Sequence, residues 1–243
     1  MLLELEDALV PWMTLAHWQW AWRPRGPVLS ERHARAALRR QVHLWDRQRW
    51  QALVGRARPP DVATYRTFLA ETLTAIAGHP LPDEETRAVV ERFLKPAHEA
   101  ESYPDAFVAI RALDERHVKV GVVSDLPAEN ARLALRRAGL PEGILLVAGD
   151  TPEPRPPMIP GYREAVKRLG AKPSQAWFVG DLFWSGVRAA ARAGLTSVFI
   201  DRPGAADQVL ETRIRSLAEL PALLDVPPAP PTAPVDGDDA GPA

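Results

Sequence analysis

Apolar residues along this chain change period once, near residue 100. Leu2, Leu3, Leu5 and Leu9 form a short apolar run that predicts a buried strand. The passage PWMTLAHWQWAWRPRGP follows, and its prolines and glycine predict a helical turn and then a loop. From Ser30, the residues Ala34, Ala37, Leu38, Val42, Trp45, Ala52 and Leu53 recur at helical spacing, with arginines on the opposite face. Asp61, after Pro59 and Pro60, reads as the N-cap of a second helix carrying Val62, Tyr65, Phe68, Leu69, Leu73 and Ile76. A third helix runs from Asp83 to Leu94, with Val89, Val90, Phe93 and Leu94 on its apolar face. Residues 12–97 are thus predicted to be all-helical.

Beyond that point, short apolar runs alternate with helices of about ten residues. AFVAIRALDER predicts a helix, VKVGVVS a strand, NARLALRRAG a helix and ILLVAG a strand. YREAVKRLG, AWFVG, GVRAAARAG and LTSVFI continue the alternation. Such β-α units build a parallel sheet, and the first strand joins it, so the helical stretch is an insertion. The division is a core of residues 1–11 and 98–225, an inserted helical domain of 12–97, and a tail of 226–243. That tail, rich in proline and acid, is expected to be disordered.

Composition narrows the partners more than the fold. Thirty basic and thirty-one acidic residues leave a net charge of -1, so no global field gathers nucleic acid, and nucleic-acid or membrane partners are not expected. The absence of cysteine excludes thiolate catalysis and cysteine-ligated metals, and agrees with a cytoplasmic location. No apolar run reaches the roughly 18 residues of a membrane span.

In an open parallel sheet the ligand sits at the carboxyl ends of the strands. Those ends carry Glu4, Glu6 and Asp7, then Ser124 and Asp125, then the loop 149–160, then Gly180 and Asp181. Read from the residues alone, the first cluster is either a polar strand end paired with arginine or an active carboxylate pair. Ser124 can cap the helix that follows it, and Asp181 can serve a helix N-terminus.

YPDAFVAIRALDERHVKVGVVSD and AKPSQAWFVGDLFWSGVRAAARAGL resemble the haloacid dehalogenase-like superfamily in spacing and strand order. The likeness extends over residues 1 to about 224. It implies a Rossmann-like parallel core with an all-helical cap inserted after strand one, and phosphoryl chemistry supported by magnesium. LLELEDALV lines up with the segment that holds the nucleophile and the acid/base, placing Glu4 and Glu6 where the family keeps aspartates. Asp7 takes the usual glycine position. Ser124 matches the phosphate-binding hydroxyl, Arg155 the expected lysine, and Asp181 the first metal-site acid. Ser185 and Gly186 stand where the second acid belongs.

Glutamate is one methylene longer than aspartate, and a misplacement of about 1 Å can cost on the order of 100-fold in rate. The expectation is therefore a catalytically degenerate member that binds a small molecule or a protein partner in the cap-core cleft. It would need no cofactor, or Mg2+ if the site is functional. The alternative is a small-phosphomonoester phosphatase with an altered Glu-based site. A weaker one is a structural or interaction protein using its Trp-rich cap, for six of the eight tryptophans lie in the first 50 residues. Trp18, Trp20, Trp22 and Trp184 are candidates to line the cleft, although packing between cap and core explains such residues as well. Arg35, Arg39, Arg40, Arg47 and Arg49 read as a solvated basic face, and the histidines show no ligand spacing.

Overall fold

The computed structural model describes residues 1–22, 30–57, 62–95, 102–141, 143–152, 156–202 and 212–225. Asp61, Arg155 and the tail lie outside these described residues. Among the described residues, six parallel strands form one sheet in the order β3-β2-β1-β4-β5-β6: Leu2–Glu4, Gly121–Val123, Leu145–Val147, Trp177–Gly180, Thr196–Ile200 and Arg213–Ile214 are β1 to β6. The chain runs outward from β1 through β2 to β3 and then returns to place β4 on the other side of β1. This switch point opens a crevice at the carboxyl end of β1, where a ligand site belongs in such sheets. The two-residue β6 at the edge is the strand that the apolar pattern missed.

Alternation along the strands divides the interior into two. Leu3, Val122, Val179 and Val198 face one side, while Leu2, Val123, Phe178 and Phe199 face the other. The second side is covered by α7 (Ile159–Arg168) and α8 (Ala189–Arg192), through Tyr162, Ala165, Val166, Ala189 and Ala190. On the first side lie α5 (Pro104–Glu115) and α6 (Ala128–Arg137). Glu4 follows Leu2 by two residues, so it shares the face of α7 and α8.

Between β1 and α5 stand the helices α1 (Leu15–Trp22), α2 (Glu31–Leu53), α3 (Val62–Ala77) and α4 (Asp83–Phe93). Ser30, where the helical pattern begins, caps α2, its hydroxyl accepting from the His33 N–H at 3.3 Å. The apolar interior is continuous from Leu3 and Leu5 through Trp12 and Trp18 into Phe68, Leu73 and Phe93. Helix α2 packs along α3 and crosses the π-helical turn Phe183–Arg188 that follows β4. A π-turn there replaces the plain helix expected for GVRAAARAG, and such turns recur at functional sites. Among the described residues no helix is long and apolar enough to cross a membrane.

Candidate active site

Glu4 closes β1 with its side chain buried, and its Oε2 has no hydrogen-bond partner. The longer glutamate is accommodated because β4 ends in glycine: a Cβ on Gly180 would run into Oε2. A Cβ on Gly186 would stand 3.6 Å from the same oxygen. Two glycines therefore leave room around one carboxylate. A buried acceptor without a donor costs about 1–3 kcal/mol, so its retention needs a reason outside packing.

Glu6, two residues on, is in the opposite condition. Its Oε1 accepts from the Ser124 hydroxyl at 2.6 Å and from the Asp125 and Leu126 N–H groups at 3.1 and 3.3 Å. The hydroxyl that the resemblance assigns to a phosphoryl oxygen is thus engaged by the protein's own carboxylate. Ser124 Oγ also accepts from the Leu126 N–H at 3.1 Å. Asp7 adopts a left-handed backbone with φ 55°, which explains why its place suits glycine. Its carboxylate holds the turn, accepting from Trp12 N–H at 2.9 Å and Met13 N–H at 2.8 Å. Asp7 is therefore a turn residue.

The inserted α2 supplies two side chains that the resemblance did not place here. Asp46 is buried and accepts from the N–H groups of Trp184 (2.8 Å) and Ser185 (2.7 Å), and from the Ser185 hydroxyl (2.7 Å). Three residues later, Arg49 is buried and forms an ion pair with Asp125. The expectation of a solvated arginine face is corrected at this position, because Arg49 is only 5% exposed. The missed signal is positional: Arg49 follows Trp45 by four and Asp46 precedes Trp50 by four, putting both polar residues on the buried stripe. Tyr162 was not singled out either, and it donates its hydroxyl to the carbonyls of Ser185 and Gly186 at 3.3 Å.

Electrostatics separates these acids. Burial first, and then the Asp181 charge, push Glu4 well above the carboxylate range, while Arg49 pulls it down. Burial and Asp125 push Glu6 up to about 7, against the lowering by Ser124 and backbone N–H groups. Burial raises Asp7 to about 6. Asp181 is also held well above its ordinary value, by burial and then by Asp7 and Asp46. Arg49 stays charged: its burial is outweighed by Asp125, Glu4, Tyr162 and Asp46.

The donor set does not suit magnesium, which demands near-octahedral oxygen. Glu4 and Asp181 are available, but Ser185 is fully buried and bonded to Asp46, Gly186 offers no side chain, and Arg49 brings a positive charge among the acids. Among the described residues, no three acidic or histidine side chains are grouped to hold a metal.

The structure therefore gathers Glu4, Glu6, Ser124, Asp181, Ser185 and Gly186 at the carboxyl ends of β1, β2 and β4. Three of the aromatic candidates are elsewhere. Trp18 is 1% exposed and stacks on Phe93 at 4.0 Å, so it fills the interior and does not line a cleft. Trp20 is half-buried beside His17, and Trp22, also half-buried, donates to Glu85 at 3.4 Å. Trp184 lies at the crossing of α2, 5.8 Å from Trp50, with Arg47 and Arg188 over its ring.

The chain matches a known family. The model for the haloacid dehalogenase-like hydrolase matches residues 16–194, and the chain belongs to that family. A phosphoglycolate phosphatase of Rhodospirillum rubrum is 35% identical over 105 residues, or 41% of this chain and 44% of the relative. A glyceraldehyde 3-phosphate phosphatase of Methanopyrus kandleri is 31% identical over 140 residues, covering 54% of this chain and 56% of the relative. The chain thus spans about half the length of the curated relatives it matches. Among solved structures, an L-2-haloacid dehalogenase from Xanthobacter autotrophicus shares the fold with a TM-score of 0.64 and 17% identity, over 92% of this chain and 97% of the other.

Proposed function

We propose that the protein is a hydrolase of small phosphomonoesters that uses the Glu4 carboxylate as its nucleophile. The observation that carries this reading is the buried Glu4 Oε2, without a hydrogen-bond partner, at the switch point of the sheet. The relatives named as phosphatases support the substrate class. Burial raises both Glu4 and Asp181, and at Glu4 the Arg49 charge opposes that rise and favours the ionised form. Ionised Glu4 attacks phosphorus, an acyl phosphate forms, and the bond from phosphorus to the ester oxygen breaks. Asp181 supplies the proton to the departing oxygen; water then cleaves the acyl phosphate, giving a proton back to Asp181, returning Glu4 as carboxylate and releasing phosphate. The Arg49 charge stabilises anionic oxygen in both steps.

One observation favours the competing reading of a non-catalytic binder: Glu6 and Ser124 satisfy each other, leaving the family's acid/base position and its phosphate hydroxyl engaged. Phosphate release over a panel of small phosphomonoesters, for the wild type and Glu4→Gln, separates the two. The hydrolase reading expects release that Glu4→Gln abolishes and a phosphorylated Glu4 in quenched reactions. Release that survives in Glu4→Gln, or none from any substrate, refutes it. The weaker reading of the Trp-rich cap as a contact surface loses support, since Trp12 and Trp18 are both 1% exposed.

A further inference from the structure

Arg49 stands where no cation was expected. It comes from the inserted α2, is 5% exposed, and pairs with Asp125 across the boundary between the insertion and the β2–α6 turn. A buried guanidinium persists only where acids compensate it: Arg49 is ion-paired with Asp125, and the charges of Glu4 and Asp46 also act on it. Asp46 is already held by three donors from Trp184 and Ser185, so it is not open to a second cation. Glu4 keeps an unpartnered oxygen, and Gly186 leaves the space beside that oxygen without a side chain.

We infer that the Arg49 guanidinium is the resident cation of this carboxylate cluster, in place of a divalent metal, and that removing it turns the cluster into a divalent-cation site. A planar guanidinium satisfies carboxylates with fixed N–H donors and no coordination shell, whereas magnesium must collect oxygens around itself. With Arg49 in place, a second cation meets repulsion and too few oxygens. Without it, the buried Glu4 and the half-buried Asp125 lack a counter-charge, and a divalent ion with its waters restores neutrality. The surrounding groups that bear on this balance are Glu6, Asp181, Tyr162 and Tyr65. The inference does not depend on Glu4 being a nucleophile, and its test reads binding alone.

The experiment compares the full chain with Arg49→Met and Arg49→Lys by calorimetric titration with MgCl2 and by thermal unfolding at constant ionic strength. The wild type and Arg49→Lys are expected to show no saturable response. Arg49→Met is expected to bind Mg2+ and to gain a saturable rise in Tm of about 2–4 °C. If Arg49→Met does not fold alone, refolding in Mg2+ replaces the thermal measurement, and recovery of the folded state supports the inference. Saturable Mg2+ binding by the wild type overturns it. So does an Arg49→Met protein that ignores Mg2+ when folded or fails to refold in its presence.

Discussion

Two glutamates, two residues apart at the end of β1, meet opposite fates. Glu6 gathers a hydroxyl and two backbone N–H groups around one oxygen, whereas Glu4 buries an oxygen that meets no donor. Both are carboxylates in the same crevice, so residue type alone does not separate them. The partners do. A saturated carboxylate organises the loop that contacts it, and an unsaturated buried one is kept for something the folded chain does not itself provide. Asp46 belongs with Glu6 by this criterion, because three donors hold it.

The contrast predicts which substitutions damage activity and which damage the fold. Glu4→Gln is expected to lower phosphate release at least about 1,000-fold. Its stability in urea should stay within about 1 kcal/mol of wild type, since Oε2 has no bond to lose. A large stability loss with intact turnover would reverse the assignment of Glu4. Asp46→Ala should do the opposite and cost about 3 kcal/mol in urea unfolding, because two buried N–H groups and a hydroxyl lose their acceptor. If Asp46→Ala unfolds like the wild type, the link between α2 and the π-helical turn contributes no stability.

A smaller effect distinguishes the two ways of altering Glu6. Glu6→Ala removes the acceptor of the Ser124 turn and should cost about 2 kcal/mol in thermal or urea unfolding. Glu6→Gln keeps an oxygen in place and should cost less. The smallest effect is a pH dependence. Folding raises the Glu6 pKa from 4.5 to about 7, so the folded state binds the proton more tightly than the unfolded chain. Its contribution therefore falls as pH rises from about 4.5 to about 7, opposite to the behaviour of a salt-bridged acid. Tm measured across that window should decline less in Glu6→Gln than in the wild type. An equal decline in both would remove Glu6 as the cause.

Much of this architecture was legible before any coordinates. The short apolar runs of β1 to β5 marked the sheet, since burial on both faces demands continuous apolar strands. Helical spacing marked α2, α3 and α4 because each buries one stripe. The π-helical turn was not legible: GVRAAARAG reads as ordinary helix, and its first turn is set by the crossing of α2. Among site residues, Glu4, Glu6, Ser124 and Asp181 could be placed by strand ends. Arg49 and Asp46 could not, because an arginine-rich helix looks solvated until its neighbours are known. Asp7 was visible as an acid, but its left-handed backbone and its bonds to Trp12 and Met13 were not.

The sequence by itself determined the order of strands and helices, the place of the insertion and the acids at the end of β1, because local periodicity and strand ends are properties of neighbouring residues. Only the tertiary structure decided which acid is saturated and which is left open, and which cation faces them. Those outcomes depend on Ser124 and Arg49, which lie 118 residues from Glu6 and 76 residues from Asp125 respectively, and on Gly180, whose missing side chain leaves the space Glu4 fills.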